Sequence, residues 1–382
     1  MLLLNPYTHD SRVEKEAASL RDAGYRVTIL ALADDNLPRI EVRAGISVHR
    51  IQRPTWPPLL RFFSHRRRML KALKGLAPDI IHADDTETLD VAAIGASRQR
   101  VPFVYDAHEL WLERVRRDRS RLYWALAQWY FARIEERYLR RAAAWMTVSP
   151  PIARHLERTY GLPEVRVVPN YPEDVPAPAP RDLRSLPGAD RIPRDAPIVL
   201  YLGNATAGRG IEYLIGAMAQ VRDAHLVLLG AAEQAESVQR RAAAAGVSDR
   251  VHALPRVAPE EVVAYAASAT IGVSPIPPTS LSYRYSLPNK LFQYMQAGLP
   301  VVASDFPQVR EVVDQTGAGA TVNPRDVPAL AAAIARYVDD QALGREAGER
   351  GRRAVQERFN WSVSAAELRD IYRRVAQPAE RD

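Results

Sequence analysis

The sequence predicts an α/β protein built from two doubly wound domains that face a cleft. Short apolar runs alternate with longer helical patterns through most of the 382 residues, an order typical of parallel sheets covered by helices. The alternation breaks once, in a proline-dense segment, and then restarts. A chain of this length exceeds one ordinary core. Because ligands of such sheets bind beyond the carboxyl ends of the strands, we expect the functional site in the cleft.

The first predicted domain covers residues 1–172. Two of its stretches, Arg12–Ala23 and Ser120–Ala143, have the apolar spacing of helices. Shorter apolar runs predict strands, and in chain order they are Met1–Leu4, Arg26–Ala31, Ile46–Ile51, Ile80–His82, Phe103–Tyr105, Trp145–Val148 and Val165–Val168.

Residues 173–196 are dense in proline and lack clear periodicity, which is typical of a semi-rigid linker. The second predicted domain covers residues 197–361, where the alternation resumes. Its predicted strands are Ile198–Leu202, His225–Leu229, Val251–Ala253, Ile271–Ser274, Val301–Ala303 and Ala320–Val322.

The composition excludes several classes of protein. The chain has no cysteine, which rules out a disulfide scaffold and thiolate metal sites and is typical of a reducing cytoplasm. No apolar run reaches the ~18 residues that a membrane-spanning helix needs, and the first residues lack the pattern of a signal peptide. We therefore expect a cytoplasmic protein.

The formal net charge is +7, and basic residues cluster in two segments. One interpretation is a solvated, arginine-rich surface. The other is attraction to an anionic partner, and the apolar run Trp56–Phe63 would then anchor a peripheral contact with the inner face of the cell membrane, unless it packs in the first domain. No nucleic-acid motif accompanies the charge, so no nucleic-acid partner is expected. The clustered residues are Arg61, Arg66, Arg67, Arg68, Lys71 and Lys74, and then Arg114, Arg116, Arg117, Arg119 and Arg121.

Residues 282–304 form the most informative segment, with the pattern of a loop, a helix and a buried strand. Ser286 has the residue type of a helix N-cap, and Pro288 suits a first helical turn. A helix that starts in a polar loop is suited to anions, because its free N–H groups and its dipole favour phosphate. Lys290 in the first turn would add a full positive charge.

A second loop suited to phosphate follows the predicted strand Ile198–Leu202. Gly203 and Gly210 let the backbone approach a ligand closely, and Arg209 has the planar fork that grips phosphate. The alternative is a tight strand–helix turn that needs glycine for its backbone alone.

Polar residues also follow strands of the first domain, at the edge where ligands of a parallel sheet bind. Asp85 follows one strand, and His108 and Glu109 follow the next. His108 is either a loop or capping residue or part of the site. The sequence contains no Asp-x-Asp motif and no histidine cluster with metal-ligand spacing, so no metal site is predicted.

Residues 282–304 resemble the donor-sugar signature of family 4 glycosyltransferases, in a variant that reads Leu-Pro-Asn-Lys-Leu-Phe-Glu-Tyr followed by Ala-Gly-x-Pro-Val-Val. Many members carry a Glu-x7-Glu motif, and this chain has Tyr285 and Gln293 at the matching positions. Residues 101–110 and 145–170 resemble the family as well. The resemblance implies the GT-B fold, in which two Rossmann-like domains face a cleft, and a last helix, residues 362–376, that crosses back to the first domain.

The resemblance also implies roles for individual residues. The family holds the donor diphosphate with an arginine and a lysine in its glycine-rich loop. Asn204 stands in place of that arginine and Arg209 in place of that lysine. His108 matches the histidine beside the transferred sugar, so the expected catalytic residues are His108, Arg209 and Lys290. The expected donor-binding residues are Gly203, Asn204, Tyr285, Ser286, Leu287, Pro288, Asn289 and Gln293, and the expected acceptor-side residues are Asp10, Arg12, Asp85 and Glu109.

Together these features predict a glycosyltransferase. It would move a sugar from a nucleotide diphosphate sugar to a hydroxyl of a carbohydrate or lipid-linked acceptor, with the retention of configuration that the resemblance implies. The nucleotide sugar is a co-substrate, and no separate cofactor is expected. The reaction would serve the biosynthesis of a polysaccharide, a glycolipid or a glycoconjugate. Because both glutamates are absent, one alternative is a nucleotide-sugar-binding protein without turnover, and another is a nucleotide-sugar epimerase of the same fold.

Overall fold

The computed structural model describes residues 1–8, 10–52, 58–114, 120–173 and 179–377. The chain divides into two compact units, and each contains parallel strands that alternate with helices along the chain. Two Rossmann-like units confirm the predicted fold class. The first unit comprises Met1–Asn170, Ser280–Ser282 and Val363–Asp382, and the second comprises Tyr171–Thr279 and Tyr283–Ser362.

The first unit has two sheets, which Leu2 joins. The strands are β1 (Thr28–Leu32), β2 (Ile40–Arg43), β3 (Ile46–Ile51), β4 (Ile81–Asp84), β5 (Phe103–Ala107), β6 (Ala144–Thr147) and β7 (Arg166–Val167). One sheet has the order β1-β3-β2, and the other has the order β4-β5-β6-β7. Leu2 bridges to Leu30 in β1 and to Ala83 in β4. Where the sequence predicts a strand at Met1–Leu4, the structure therefore has a single bridging residue.

The edge strand β2 is an element that the sequence analysis missed. It pairs with β3 in antiparallel register, from Ile40 opposite His49 to Arg43 opposite Ile46. Ala44 (φ 49°) and Gly45 (φ 78°) form the two-residue turn between the strands, with the positive φ values that a type I′ hairpin needs. The alternation of apolar and polar residues on both sides of an Ala-Gly pair was the available signal.

The helices of the first unit are interspersed with its strands along the chain. Asp10 caps the first of them, since its side chain accepts a hydrogen bond from the N–H of Val13. Val13, Leu20 and Leu89 are buried, so the apolar positions of these helices face the core. The helices are α1 (Ser11–Asp22), α2 (Pro58–Leu76), α3 (Thr86–Gln99), α4 (Arg121–Tyr138) and α5 (Pro150–Tyr160).

The second unit has one six-stranded parallel sheet. Its strands are β8 (Ile198–Leu202), β9 (His225–Leu229), β10 (Val251–Leu254), β11 (Ile271–Ser274), β12 (Val301–Ser304) and β13 (Gly319–Val322), in the order β10-β9-β8-β11-β12-β13. Successive residues of β8 enter two different apolar clusters: Leu200 lies in one, and Val199 and Tyr201 lie in the other. The sheet is therefore buried on both faces, as parallel sheets generally are.

The helices of the second unit alternate with its strands, and the helices Asn289–Gln296 and Gln341–Glu357 pack closely on each other. Gly348 in the helix Gln341–Glu357 allows this contact, because a Cβ there would lie 1.9 Å from the carbonyl oxygen of Gly298. The helices are α6 (Ile211–Met218), α7 (Ala235–Ala244), α8 (Val262–Ala266), α10 (Asn289–Gln296), α11 (Pro307–Thr316), α12 (Val327–Asp339) and α13 (Gln341–Glu357). Two further helices, α9 (Leu281–Tyr285) and α14 (Trp361–Ala376), have residues in both units.

The segment expected to be a linker, residues 173–196, lies within the second unit. Leu183, Ala189 and Ile192 are buried in one of its apolar clusters, and the N–H of Arg181 donates to the carbonyl oxygen of Ala264 (2.9 Å). Because these apolar positions are few and lie among prolines, the sequence shows no periodicity that would predict their burial. The described part of the segment is therefore a packed strap and not a free connection.

Helix α14 continues from the second unit into the first, to which it belongs from Val363 onward. In the first unit the hydroxyl of Ser364 donates to the carbonyl oxygen of Pro169 (2.8 Å). Near the other end of the helix, the Tyr372 hydroxyl lies 2.7 Å from Nδ1 of His82. The last helix thus packs on the unit that contains the amino terminus of the chain.

Candidate active site

The loop between β8 and α6 is built around two glycines with positive φ. Gly203 (φ +107°) follows β8, and Gly210 (φ +80°) occupies the N-cap position of α6. A Cβ at Gly210 would lie 1.7 Å from the carbonyl oxygen of Pro275, so a larger residue would require a backbone shift. The glycines thus fix a tight passage from strand to helix and leave the carboxyl end of β8 without a side chain at Gly203.

Lys290 brings its ammonium group to this end of β8. Its Nζ lies 3.8 Å from the centroid of the Tyr201 ring, and a Cβ at Gly203 would lie 4.0 Å from Nζ. Burial, and then the charge of Arg209, lower the pKa of Lys290 to about 7. Among the described residues Lys290 has no carboxylate partner. A cation without a counter-charge in a partly buried place is suited to an anionic ligand.

Arg209 lies in the same loop and stacks on an aromatic ring. Its guanidinium carbon is 5.3 Å from the centroid of the Tyr283 ring, and its backbone N–H donates to the carbonyl oxygen of Thr206 (3.3 Å). Within the described ranges the guanidinium makes no ion pair. Stacking leaves the planar edge of an arginine available for a bidentate ligand such as phosphate.

Helix α10 begins two residues later than the sequence predicts. Pro288 occupies its N-cap position, and Ser286 does not cap the helix because its hydroxyl donates to the carbonyl oxygen of Tyr283 (2.7 Å). The Ser286 side chain is thus used to close the turn after α9. The start of α10 at Asn289 consequently lacks a side-chain cap, since proline offers no acceptor there.

The other predicted donor-binding residues occupy different surroundings in the second unit. Tyr285 ends α9, and Asn289 is an exposed residue at the start of α10. Leu287 is partly buried and packs against an apolar cluster of the second unit. Gln293 is half-buried in the next turn of α10, and its side chain has no hydrogen-bond partner in the described part of the chain.

Asn204 has a partner that the sequence analysis missed. Its Oδ1 accepts a hydrogen bond from Nη2 of Arg256 (2.6 Å), and Arg256 follows the end of β10. The rule that polar residues at the carboxyl ends of parallel strands face the ligand, applied to β10, would have placed Arg256 at the ligand edge, but it does not place Arg256 beside Asn204.

His108 lies within a group of three aspartates in the first unit. Its Nε2 is 2.9 Å from Asp106 Oδ2 and 3.5 Å from Asp84 Oδ1, and its Nδ1 is 3.5 Å from Asp85 Oδ2. Burial lowers the pKa of His108, but the charges of Asp85 and Asp106 outweigh that effect and raise it well above the usual value. These charges therefore favour the protonated ring, in which both nitrogens donate hydrogen bonds.

Asp85 contacts His108 in the folded unit, and Glu109 is the next residue in the chain. Asp85 Oδ1 accepts a hydrogen bond from the backbone N–H of His108 (2.8 Å), and its own backbone has a positive φ of 59°. Burial raises the pKa of Asp85 to about 7. The Glu109 carboxylate accepts from Arg114 and from the hydroxyl of Ser282, both at 3.4 Å. Both acids thus have partners within the first unit.

Arg12 has a different place from the one predicted. Asp10 and Arg12 are expected on the acceptor side, but Arg12 is buried and its guanidinium donates to both oxygens of Asp106 (2.9 Å each) and to the carbonyl oxygen of Val168 (2.6 Å). Asp10 caps α1 and accepts from Asn5 (2.9 Å). The fork of Arg12 is used inside the unit because a buried guanidinium needs a carboxylate partner.

Several buried side chains near His108 have the chemistry of cation ligands. Those of Glu16, His82, Asp84 and Asp106 offer ligand atoms that all lie within 4.8 Å of one another. Burial raises the pKa of Glu16 well above its usual value. Burial also acts to raise the pKa of Asp106, but Arg12 and His108 outweigh it and hold that pKa low. Since Arg12 contacts both Glu16 and Asp106, we interpret the group as an internal ion network, and the expectation of no metal site stays a prediction.

Comparisons with known proteins cover both units. Residues 11–171 match the family model described as Glycosyltransferase Family 4, and residues 196–340 match the model described as Glycosyl transferases group 1. The chain is similar to the MMP alpha-(1->4)-mannosyltransferase of Mycolicibacterium hassiacum, with 28% identity over 348 residues that cover 87% of this chain and 80% of the relative.

Solved structures resemble the chain over nearly its full length. Sucrose-phosphate synthase from Thermosynechococcus elongatus superposes with a TM-score of 0.78 and 23% identity, covering 98% of each chain. The Anabaena protein Alr3699/HepE in complex with UDP-glucose superposes with a TM-score of 0.70 and 16% identity, covering 97% of this chain and 98% of that one. At these identities the likeness establishes the fold, which is GT-B.

Proposed function

This chain belongs to glycosyltransferase family 4, and from that premise we propose that it transfers a sugar from a nucleotide diphosphate sugar to a hydroxyl acceptor with retention of configuration. The observation that carries the proposal is the pair of cations at the carboxyl end of β8. Lys290 and Arg209 lie close enough for their charges to interact, and neither has a carboxylate partner among the described residues. A nucleoside diphosphate would supply the negative charge.

In the proposed reaction the bond between the sugar C1 and the diphosphate oxygen breaks, so negative charge develops on that oxygen. Lys290, Arg209 and the uncapped start of α10 would stabilise this charge. The acceptor oxygen forms the new bond to C1 on the same face, and its proton passes to the departing phosphate oxygen. Because this route needs no protein carboxylate, it is compatible with Tyr285 and Gln293 in place of the two glutamates.

His108 is proposed to donate a hydrogen bond to the donor sugar. Against the effect of burial, Asp85 and Asp106 raise the pKa of its ring, which favours the form that carries both protons. A protonated ring cannot take the proton of the acceptor. The proposal therefore gives His108 a binding role and leaves the acceptor's proton to the phosphate.

Incubation with UDP-, GDP-, ADP- and dTDP-sugars tests the proposed function. Nucleotide release that depends on an added acceptor is the expected result. Release of an epimerised free sugar would instead identify an epimerase, and binding without turnover would identify a non-catalytic binding protein. Thermal stabilisation by one of the four nucleoside diphosphates would show which base the site accepts, since a ligand that binds only the folded state raises its stability.

Replacement of Arg209 tests the cation pair. Arg209→Ala should cost about 2–4 kcal/mol of transition-state stabilisation, the usual effect of removing one preorganised donor. The matched control is Arg240→Ala, because Arg240 lies on the exposed face of α7 and, in the part of the chain that the structure describes, pairs only with Glu236 (3.1 Å). Near-normal turnover of Arg209→Ala at saturating donor would contradict the assignment.

We also propose a peripheral contact with an anionic membrane, through α4 of the first unit. Leu122, Leu126 and Trp129 are exposed by 69%, 41% and 63%, and their spacing places them on one helix face. Arg133 and Arg137 continue that face. Exposed apolar residues beside arginines are suited to the interface of acidic lipids. A membrane-spanning helix is absent from the ranges that the structure describes.

The segment from which the sequence analysis predicted membrane contact does not carry this proposal. Trp56 and Pro57 lie outside the described residues, as do Arg116, Arg117 and Arg119, and the structure describes no side chains for residues 58–64. Arg66 of the first basic cluster lies 3.6 Å from Asp90, and Arg68 donates to the carbonyl oxygen of Gln52 (2.8 Å). The proposed contact therefore rests on α4.

A further inference from the structure

Arg256 is a cation of the second unit to which the donor signature gives no role. Its Nη2 donates to Oδ1 of Asn204 at 2.6 Å. Asn204 occupies the position at which the resembling family has one of its diphosphate-binding cations, an arginine. A guanidinium from a different strand thus lies within hydrogen-bond distance of the side chain that stands where that arginine is missing.

Two glycines shape the path of the Arg256 side chain across the edge of the sheet. Gly230 follows β9 with φ +97°, and Gly203 follows β8 with φ +107°. A Cβ at Gly230 would lie 3.5 Å from Cγ of Arg256 and 3.6 Å from Cα of Gly203. The stem of Arg256 therefore passes over a place that has no side chain. Its guanidinium ends beside the loop that Gly203 begins.

The guanidinium of Arg256 keeps donors for a ligand. An arginine offers five N–H groups in a planar fork, and the bond to Asn204 uses one of them. Arg256 is exposed, and within the described ranges it has no carboxylate partner. Lys290 and Arg209, which also lack one, lie at the same strand end. Three cations that have no carboxylate partner among the described residues therefore lie around Gly203 and its loop.

We propose that Arg256 binds an oxygen of the outer phosphate of the donor diphosphate, with Asn204 orienting its guanidinium, and so replaces the arginine that the loop lacks. The inference rests on the proposed function, because it requires a nucleoside diphosphate at this loop. The order β10-β9-β8 of the parallel sheet makes the replacement feasible. The carboxyl ends of these strands lie at one edge, so a long side chain after β10 can reach the loop after β8.

Calorimetric titration with UDP, GDP, ADP and dTDP, and with the matching monophosphates, tests the inference. Arg256→Ala should bind the accepted diphosphate at least tenfold more weakly than the unsubstituted protein, because a charge-assisted contact is lost. Its affinity for the monophosphate should fall less than threefold, since that ligand carries one phosphate fewer. Arg240→Ala, which removes an exposed arginine of the same unit, should change neither affinity. Thermal midpoints confirm that each variant is folded.

A relocation variant distinguishes replacement of the missing arginine from a general effect of charge. Asn204→Arg combined with Arg256→Ala returns a guanidinium to the loop and should bind the diphosphate at least fivefold more tightly than Arg256→Ala alone. A folded double variant that binds no more tightly overturns the replacement.

Three other outcomes are decisive. Unchanged diphosphate affinity of Arg256→Ala overturns the inference and leaves the proposed function intact. Equal losses for diphosphate and monophosphate overturn it as well, because they place Arg256 at the base, the ribose or the inner phosphate. Failure of all four diphosphates to bind the unsubstituted protein overturns the proposed function, and the inference with it.

Discussion

The ammonium form of Lys290 is disfavoured in the ligand-free protein, whereas a bound diphosphate would favour it. Burial against the Tyr201 ring and the nearby charge of Arg209 disfavour its ammonium form, and they lower its pKa to about 7. A bound diphosphate would supply the missing negative charge and favour the same ammonium form. Binding of the donor should therefore be coupled to uptake of a proton by Lys290 above neutral pH.

This coupling predicts opposite effects of pH on affinity and on stability. Diphosphate affinity should fall as the pH rises through about 7, because the free protein then has a neutral Lys290 that must be protonated on binding. The free energy of unfolding should rise over the same range and up to the usual lysine pKa of 10.5, because the unfolded chain binds the proton that the folded chain has lost. Calorimetric titrations and denaturant curves at several pH values measure both quantities.

Lys290→Arg is the control for this prediction, since an arginine stays charged throughout the range. In that variant the fall in affinity should disappear. A pH dependence that is the same in both proteins would show that another group, such as the ligand phosphate, causes it.

At the residue scale, the sequence predicted types of side chain better than it predicted their partners. Lys290 was expected near phosphate from its position in the chain. Its burial depends on Tyr201, which belongs to another strand. Arg12 was expected to face a ligand, but Asp106, which lies far away in the chain, occupies its fork. Arg256 was missed for the same reason, since its relation to Asn204 exists only in the folded sheet. Such contacts are set by strand order, which no local pattern contains.

At the scale of elements, the strand β8, the loop 203–210 and the helix α6 act as one structural unit. The strand is buried on both faces, and the helix starts at Gly210, whose φ of +80° an L side chain rarely adopts. The backbone at this glycine lies against the carbonyl group of Pro275 after β11. The position of the cation loop is therefore fixed by its contact with a neighbouring strand end.

Gly210→Ala should disrupt this arrangement. The added Cβ would lie 1.7 Å from the carbonyl oxygen of Pro275, and backbone must move to relieve that overlap. We expect a loss of about 3 kcal/mol in the free energy of unfolding from overpacking and positive φ together, and a loss of diphosphate affinity in the protein that remains folded. Denaturant unfolding and calorimetry measure the two effects.

The matched control is Gly75→Ala, because Gly75 lies in α2 and a Cβ at this position would have no other atom within 4 Å. Alanine is the better helix former, so this variant should be as stable as the parent or slightly more stable. Similar stabilities of the two variants would mean that the loop tolerates a side chain at Gly210.

Elements with a strong apolar pattern were predictable, and elements that depend on contact with a neighbour were not. The strands β8, β9 and β11 have the predicted bounds, because a strand buried on both faces reads as a continuous apolar run. The edge strand β2 is largely exposed and gave no such run. The segment 179–196 packs on the second unit through a few apolar residues among prolines, a pattern too sparse for a periodicity to reveal.

At the scale of the whole molecule, charge and exposed apolar surface bear on where the protein works. The chain carries a net charge of +7, which favours association with anionic surfaces. Long-range attraction of this kind brings a protein to acidic lipid, but it does not fix an orientation. An exposed apolar face does so, because only that face gains by leaving water. Helix α4 of the first unit provides one in Leu122, Leu126 and Trp129.

Replacement of that face should therefore reduce membrane binding without affecting the donor site. We expect the protein to float with vesicles that contain acidic phospholipid at low salt and to be released as salt rises, because screening weakens contributions of about 1 kcal/mol from each basic residue near the surface. Leu126→Ser combined with Trp129→Ser should remove most of the binding.

Val363→Ser is the matched control, since Val363 is an exposed apolar residue (50%) on a different helix. Equal recovery of the double variant and the control, or equal recovery of the parent with neutral and anionic vesicles, would argue for an acceptor in solution. Retained diphosphate affinity in the double variant would show that the loss concerns the membrane alone.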